Sequence, residues 1–410
     1  MSSLSSNLGS RSHLLYDSGI KEMIEMVHRS GALSFTAGEP SEDLIQKEQL
    51  RQAICESFES SEDMMSYYHD PSGFEKLREW IVEWMNNDGL LPPGLGLKNC
   101  LLTSGSQEGL NLIAESVIDK GDLVVTEDPS YPEAFLTFSK EGARLEAVKL
   151  DGLGPSLEEL EFIAKNEKIK IFYTIPCFQN PSGSVTSLCR RKAILALAQR
   201  YNFLILEDDP YRHLWFSEPP PSSYISLPEN DGRIIYLGSF SKVVAPGIRC
   251  GWIVAPDWLF RTLVRLRVAS HLNLPTLIHQ GILNYVMTST FFDHVAGLRE
   301  AYATRRDALV QSLKLHVPES VFKFSIPSGG FFLWGKISIL DDAGNFARYA
   351  IQEEGIGVLD GNIFSIGSRS VNKSAIRLSF AKIKPEEAEE GCARLAKAIS
   401  KYTGMYFTPD

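Results

Sequence analysis

No stretch of this chain approaches the roughly 18 consecutive apolar residues of a membrane span. Its first twenty residues are rich in serine and lack the apolar core of a secretory signal. Cysteine is sparse and scattered: Cys55, Cys100, Cys177, Cys189, Cys250 and Cys392 show no CxxC spacing, so neither a zinc site nor a disulfide framework is expected. Positive charge is also short. Lys and Arg number 41 against 51 Asp and Glu, a formal net charge of -10, which argues against a nucleic-acid-binding surface. No internal repeat is present. What remains is the balance of an ordinary soluble globular protein, with 44% hydrophobic and 22% charged residues. At 410 residues the chain exceeds one typical core, so one large and one smaller domain are expected. The composition points to a cytoplasmic enzyme with no metal, no nucleic-acid partner and no membrane contact.

Apolar periodicity organises the chain. The stretch Ile20–Val27 has helical spacing. From about residue 100, short apolar runs (Leu101-Leu102, Leu123–Val125, Ile169–Ile175, Phe203–Leu206, Ile234–Leu237) alternate with helical patterns such as Gly109–Ile118 and Arg190–Tyr201. Near-continuous apolar strands separated by helices predict a mostly parallel sheet covered on both faces. A helical pattern from Asp257 to about His271 leads out of this region. Strand-like runs at Phe331–Trp334 and Ile376–Phe380 then belong, with the N-terminal segment, to a second, smaller α+β unit. Pro219-Pro220-Pro221 reads as a surface loop.

The chemistry-bearing residues follow the apolar runs. After Ile234–Leu237 comes Gly238-Ser239-Phe240-Ser241-Lys242, with Arg249 seven residues beyond the lysine. Two hydroxyls and a guanidinium suit a phosphate, while Lys242 offers an amine for a carbonyl. Leu102–Gly109 joins a strand to a helix start, whose free N–H groups and dipole favour an anion, with Ser106 and Gln107 as added donors. Tyr131, between Pro129 and Pro132, sits on a stiff turn that suits an aromatic platform. Asn180 follows Ile169–Ile175 and is placed to donate to a phenolic oxygen. Asp208 follows Phe203–Leu206, where a carboxylate is costly unless paired, and a protonated pyridine nitrogen is a natural partner. Tyr211, three residues on, could hydrogen-bond the same ring's oxygen. Each motif alone has an ordinary structural explanation as a cap or turn. Together they converge on the carboxyl edge of one sheet, where open α/β sheets bind ligands.

On these motifs the chain resembles the fold-type I pyridoxal 5'-phosphate (PLP) enzymes of the aspartate aminotransferase class, within it the kynurenine/2-aminoadipate aminotransferase subgroup, from about residue 18 to about 400. The resemblance implies a large domain with a mostly parallel seven-stranded sheet flanked by helices and a smaller α+β domain built from both termini. It places an N-terminal arm and part of the small domain at 1–60, the large PLP-binding domain at 61–295 and the rest of the small domain at 296–410. It implies that Lys242 is the catalytic, imine-forming lysine. Asp208 pairs with the ring nitrogen, Asn180 and Tyr211 contact the ring oxygen, and Tyr131 stacks on the ring. Ser106, Gln107, Ser239, Ser241 and Arg249 hold the phosphate. Tyr68, in Ser66–Gly73, reaches the neighbouring subunit's phosphate, which implies a homodimer with shared sites. Arg377 clamps the substrate α-carboxylate with its planar fork, and Gly38 lies against the substrate.

Two departures stand out. Lys21, in Ser18-Gly19-Ile20-Lys21, occupies a place where relatives that take dicarboxylic substrates carry arginine, and lysine attracts a carboxylate without gripping it bidentately. Cys177 stands where relatives have Asp, Asn or Ser. The expected reaction is transfer of an amino group from an aromatic, large aliphatic or 2-aminoadipate-like L-amino acid to a 2-oxo acid such as 2-oxoglutarate. Phe331, Phe332, Tyr67 and Phe178 are candidates for an apolar side-chain pocket. The same motifs also serve β-elimination, racemisation or oxidative deamination. A gene regulator of the MocR type needs a winged-helix module ahead of this region, and no basic helix-turn-helix pattern precedes residue 18.

Overall fold

A computed structural model describes residue 7 and residues 9–59, 65, 68–367 and 372–406. Its centre is an eight-stranded sheet in the spatial order Cys100–Thr103, Gly251–Val254, Ile234–Ser239, Leu204–Asp208, Ile169–Thr174, Leu123–Asp128, Arg144–Asp151 and Gly154–Pro155. The five strands from Ile234–Ser239 through Arg144–Asp151 run parallel to one another. Gly251–Val254 is antiparallel to both strands beside it, so Cys100–Thr103 regains the common direction. The count is eight, not seven, because Gly154–Pro155 folds back on the end of Arg144–Asp151 as a two-residue strand. Its brevity and its proline hide it from any apolar-run reading.

Burial explains the composition of these strands. Every residue of Cys100–Thr103, Ile234–Ser239 and Gly251–Val254 is buried, which requires side chains that tolerate a core on both faces. The covering helices include Gly105–Val117, Pro132–Lys140, Leu188–Tyr201 and Asp257–His271. Leu188–Tyr201 shows how local sequence sets the ends: the Ser187 hydroxyl accepts from the Arg190 N–H at the start, and Asn202 turns left-handed at the finish.

A four-stranded antiparallel sheet, in the order Phe322–Phe324, Phe332–Ile337, Ala375–Ser379, Leu359–Asp360, lies in the C-terminal part. Beside it Leu33–Ser34 pairs in parallel with Ile356–Gly357, so the N-terminal segment is stitched to the C-terminal one. The helix Gly19–Ser30 buries Met23 and Val27, as the helical spacing of its apolar residues predicts. No helix among the described residues is long and apolar enough to cross a membrane, and no cluster of metal-ligating side chains occurs among them.

Candidate active site

Because the sheet runs mostly one way, successive strands deliver their carboxyl ends to one edge. Gly105 and Ser106 follow Thr103, Tyr131 follows Asp128, Asn180 follows Thr174, Asp208 ends its own strand, and Ser241 and Lys242 follow Ser239. Arg249 reaches the same edge from the other direction, as its strand Gly251–Val254 is antiparallel. Ser106, Tyr131, Asn180, Asp208, Ser241, Lys242 and Arg249 line a cavity of about 290 Å³ together with Gly38, Gln107, Tyr211, Ser239 and Arg377.

The anion end is built by close backbone approach. Gly105 has φ +73, and a Cβ there would meet the Arg249 guanidinium at 2.3 Å. A Cβ on Gly251 would lie 3.0 Å from the Ser106 nitrogen. The N-terminus of Gly105–Val117, Ser106, Ser239, Ser241 and Arg249 are thereby gathered around one end of the cavity. Arg249 Nη2 donates to the Ser104 carbonyl at 3.1 Å, and Gln107 Nε2 donates to Thr137 Oγ1 at 2.8 Å.

Two buried charges shape the rest. Asp208 is 3% exposed; its Oδ2 accepts from the Tyr173 hydroxyl at 2.8 Å, while its buried Oδ1 has no hydrogen-bond partner among the described residues. Burial pushes the Asp208 carboxyl up to about 7, and Lys242 pulls in the opposite direction. Arg377, 2% exposed, donates to Asn180 Oδ1 at 2.9 Å and to the Thr36 carbonyl at 2.6 Å. Its Nε has no partner among the described residues, and burial draws the guanidinium down to about 10. Lys242 Nζ donates to the Gly38 carbonyl at 2.9 Å. Burial pushes its amine down to about 8; Glu39 resists that shift, and Arg249 and Arg377 reinforce it.

A scan against family models matches residues 29–395 to "Aminotransferase class I and II". The chain belongs to the class I and II aminotransferases. This aminotransferase is 32% identical over 384 residues to a 2-aminoadipate transaminase of Thermus thermophilus, covering 93% of this chain and 94% of the relative. It is 34% identical over 391 residues to aromatic-amino-acid aminotransferase 1 of Thermococcus litoralis, covering 94% and 92%. A solved α-aminoadipate aminotransferase from Thermus thermophilus, complexed with N-(5'-phosphopyridoxyl)-L-leucine, superposes with a TM-score of 0.88 at 30% identity, covering 98% of this chain and 100% of that one.

Two anticipated residues fall outside the aminotransferase's cavity. Lys21 is exposed; Ile20 and Ile24 of the same helix line the wall instead. One helical position past Ile20 is a rotation of about 100°, which carries Lys21 off that face. Tyr68 is 76% exposed and is not among the residues that line its own chain's cavity. The anticipated aromatic pocket is a buttress: Phe331 and Phe332 are fully buried, the Arg377 guanidinium lies 4.2 Å from the Phe332 ring centroid, and Phe178 is 1% exposed. Tyr67 lies outside the described residues. Sequence reading missed Tyr173, Thr36, Glu39 and Glu133. Glu133 had a usable signal: it stands in the first turn of a helix whose start, Tyr131, was already assigned to the site.

Proposed function

We propose that this PLP-dependent aminotransferase moves the amino group of an aromatic, large aliphatic or 2-aminoadipate-like L-amino acid to a 2-oxo acid in two ping-pong half-reactions. The observation that carries the assignment is the convergence, in one cavity, of the Lys242 amine, the unpartnered oxygen of Asp208 and the unpartnered nitrogen of Arg377. The donor set fits the cofactor. A phosphate belongs with Ser106, Gln107, Ser239, Ser241, Arg249 and the helix N-terminus. A ring nitrogen belongs with Asp208 Oδ1, a ring oxygen with Asn180 and Tyr211, and a ring face with Tyr131. When bound, PLP supplies an aldehyde for the substrate amine and a ring that disperses the electron pair left when the Cα proton departs.

The chain's own residues do the rest. Arg377, held by Asn180 and Thr36 and backed by Phe332, fixes the substrate α-carboxylate. Gly38 presents its backbone to the substrate. Lys242 Nζ takes the Cα proton and returns it, a task suited to an amine that burial has brought to about 8. A cation against Asp208 Oδ1 compensates the cost of burying that carboxylate. The exposure of Tyr68, shared by the large apolar side chains Phe58 and Met65, supports a homodimer in which Tyr68 reaches the partner's phosphate.

The test is the absorbance of the purified protein before and after single amino acids are added without oxo acid. Loss of the PLP band with gain of pyridoxamine phosphate absorbance, reversed by a 2-oxo acid, is the expected result. Release of ammonia, pyruvate or peroxide without that change overturns transamination in favour of another PLP reaction.

A further inference from the structure

Part of the cavity lining is assigned neither to the cofactor nor to the α-carboxylate. Among the described residues its lining cations are Lys242, Arg249 and Arg377, and each has a task in the reading above. The remaining wall includes Ile20 and Ile24 on one helix face, and the carboxylates Glu39 and Glu133. The two acids differ. Lys382 Nζ donates to Glu39 Oε2 at 2.7 Å, which compensates that charge from outside the lining. Glu133 Oε1 accepts from the neutral Ser18 hydroxyl at 2.5 Å, and among the described residues no cation pairs with it. Its field reaches Tyr131 on the cavity wall and Tyr16 beyond: both phenols are raised mainly by burial, and the Glu133 charge adds to each. Lys21, the cation on the same helix as Ile20 and Ile24, is exposed and off the wall.

We propose that Glu133 sets the substrate class of this site: it admits side chains that are apolar, or apolar and tipped with a hydrogen-bond donor, and disfavours those ending in a carboxylate. This rests on the aminotransferase reading and narrows it. A dicarboxylic amino acid held by Arg377 brings its second carboxylate toward two isoleucines and an uncompensated Glu133. Like charges in a partly desolvated cavity repel strongly, and specificity of this kind works by penalising the wrong ligand. Because the return half-reaction uses the same cavity, a monocarboxylic 2-oxo acid is favoured over 2-oxoglutarate as acceptor.

Two measurements on the holoenzyme test this. Calorimetry compares the unreactive carboxylates 3-phenylpropionate and glutarate, and single half-reactions compare phenylalanine and leucine with glutamate and 2-aminoadipate. Wild type is expected to bind 3-phenylpropionate at least tenfold more tightly than glutarate, with kcat/KM ranked the same way. Glu133→Gln, which keeps an acceptor for Ser18, is expected to shift the ratio of the two affinities at least tenfold toward glutarate. Tighter glutarate binding by wild type, or an unchanged ratio in the variant, overturns the proposal. The two readings fail separately. A shifted calorimetric ratio without pyridoxamine phosphate formation sinks transamination and upholds the role of Glu133. Transamination with an unmoved ratio does the reverse.

Discussion

Three consecutive carboxylates, Glu207, Asp208 and Asp209, divide between two regions with opposite characters. On one side Asp208 faces the cavity with an unpartnered oxygen. On the other, Glu207 accepts from the Ser223 hydroxyl at 2.6 Å and from the backbone N–H groups of Tyr224 and Ile225, both at 3.1 Å. Arg212 pairs with Asp209, and Arg191 lies 3.9 Å from Glu207. Two buried guanidinium groups, from Arg191 and Arg212, also converge on Cys177 Sγ at 3.4 Å each. Strand alternation sends neighbours to opposite faces, so adjacent acids meet different surroundings. Asp209 Oδ1 is also buried without a hydrogen-bond partner among the described residues, but Asp209 is paired with Arg212 and does not line the cavity. The lesson is that buried charge matched by a counter-charge braces a site, whereas an open buried atom points to a ligand where it also lines a cavity.

The sharpest way to break this contrast is to remove the amine. Lys242→Ala should lower turnover by on the order of 10⁴-fold while leaving the unfolding midpoint close to wild type, because it touches the reacting side only. Retained turnover in a kinetic assay would sink the assignment of Lys242.

Next comes the bracing side. Arg212→Ala strands Asp209 in the interior and should cost about 3–5 kcal/mol of stability by denaturant titration. If stability is untouched while kcat collapses, the division into a bracing and a reacting side is wrong.

A third test uses pH. The Lys242 amine is drawn down to about 8, so it is protonated below that value and nucleophilic above it. Uptake of PLP by cofactor-free protein should therefore accelerate as pH rises through about 8. A profile flat from about pH 7 to 9 contradicts the assigned environment.

The smallest effect is expected at Cys177. Burial pushes its thiol up to about 12, so it is a neutral acceptor for the two arginines. Cys177→Ser supplies another neutral acceptor and should change stability by less than about 1.5 kcal/mol. A larger loss would show that sulfur size or polarizability is needed there.

Much of the site was legible because the motifs are local. Gly238–Lys242 and Asp208 sit at the end of an apolar run or directly after one, Asn180 follows one across a short turn, and strand direction converts that spacing into a shared edge. Partners brought from afar were not legible. Tyr173 is 35 residues from Asp208, and Thr36 is 341 residues from Arg377, so neither contact has a local signature. Lys21 shows the same limit from the other side. Its position in the chain matched a ligand-facing place, yet helix rotation turned Ile20 and Ile24 to the cavity instead.

The sequence by itself determined the parallel sheet, the strand-end placement of the charged groups and the set of groups suited to PLP, because periodicity and turn chemistry act over a few residues. Tertiary structure alone decided which charges are left open and which are matched. That depends on burial and on partners distant in the chain, and it is why Glu133 is the proposed selector, Phe331 and Phe332 are a buttress, and Asp208 is the buried acid whose open oxygen belongs to the cavity lining.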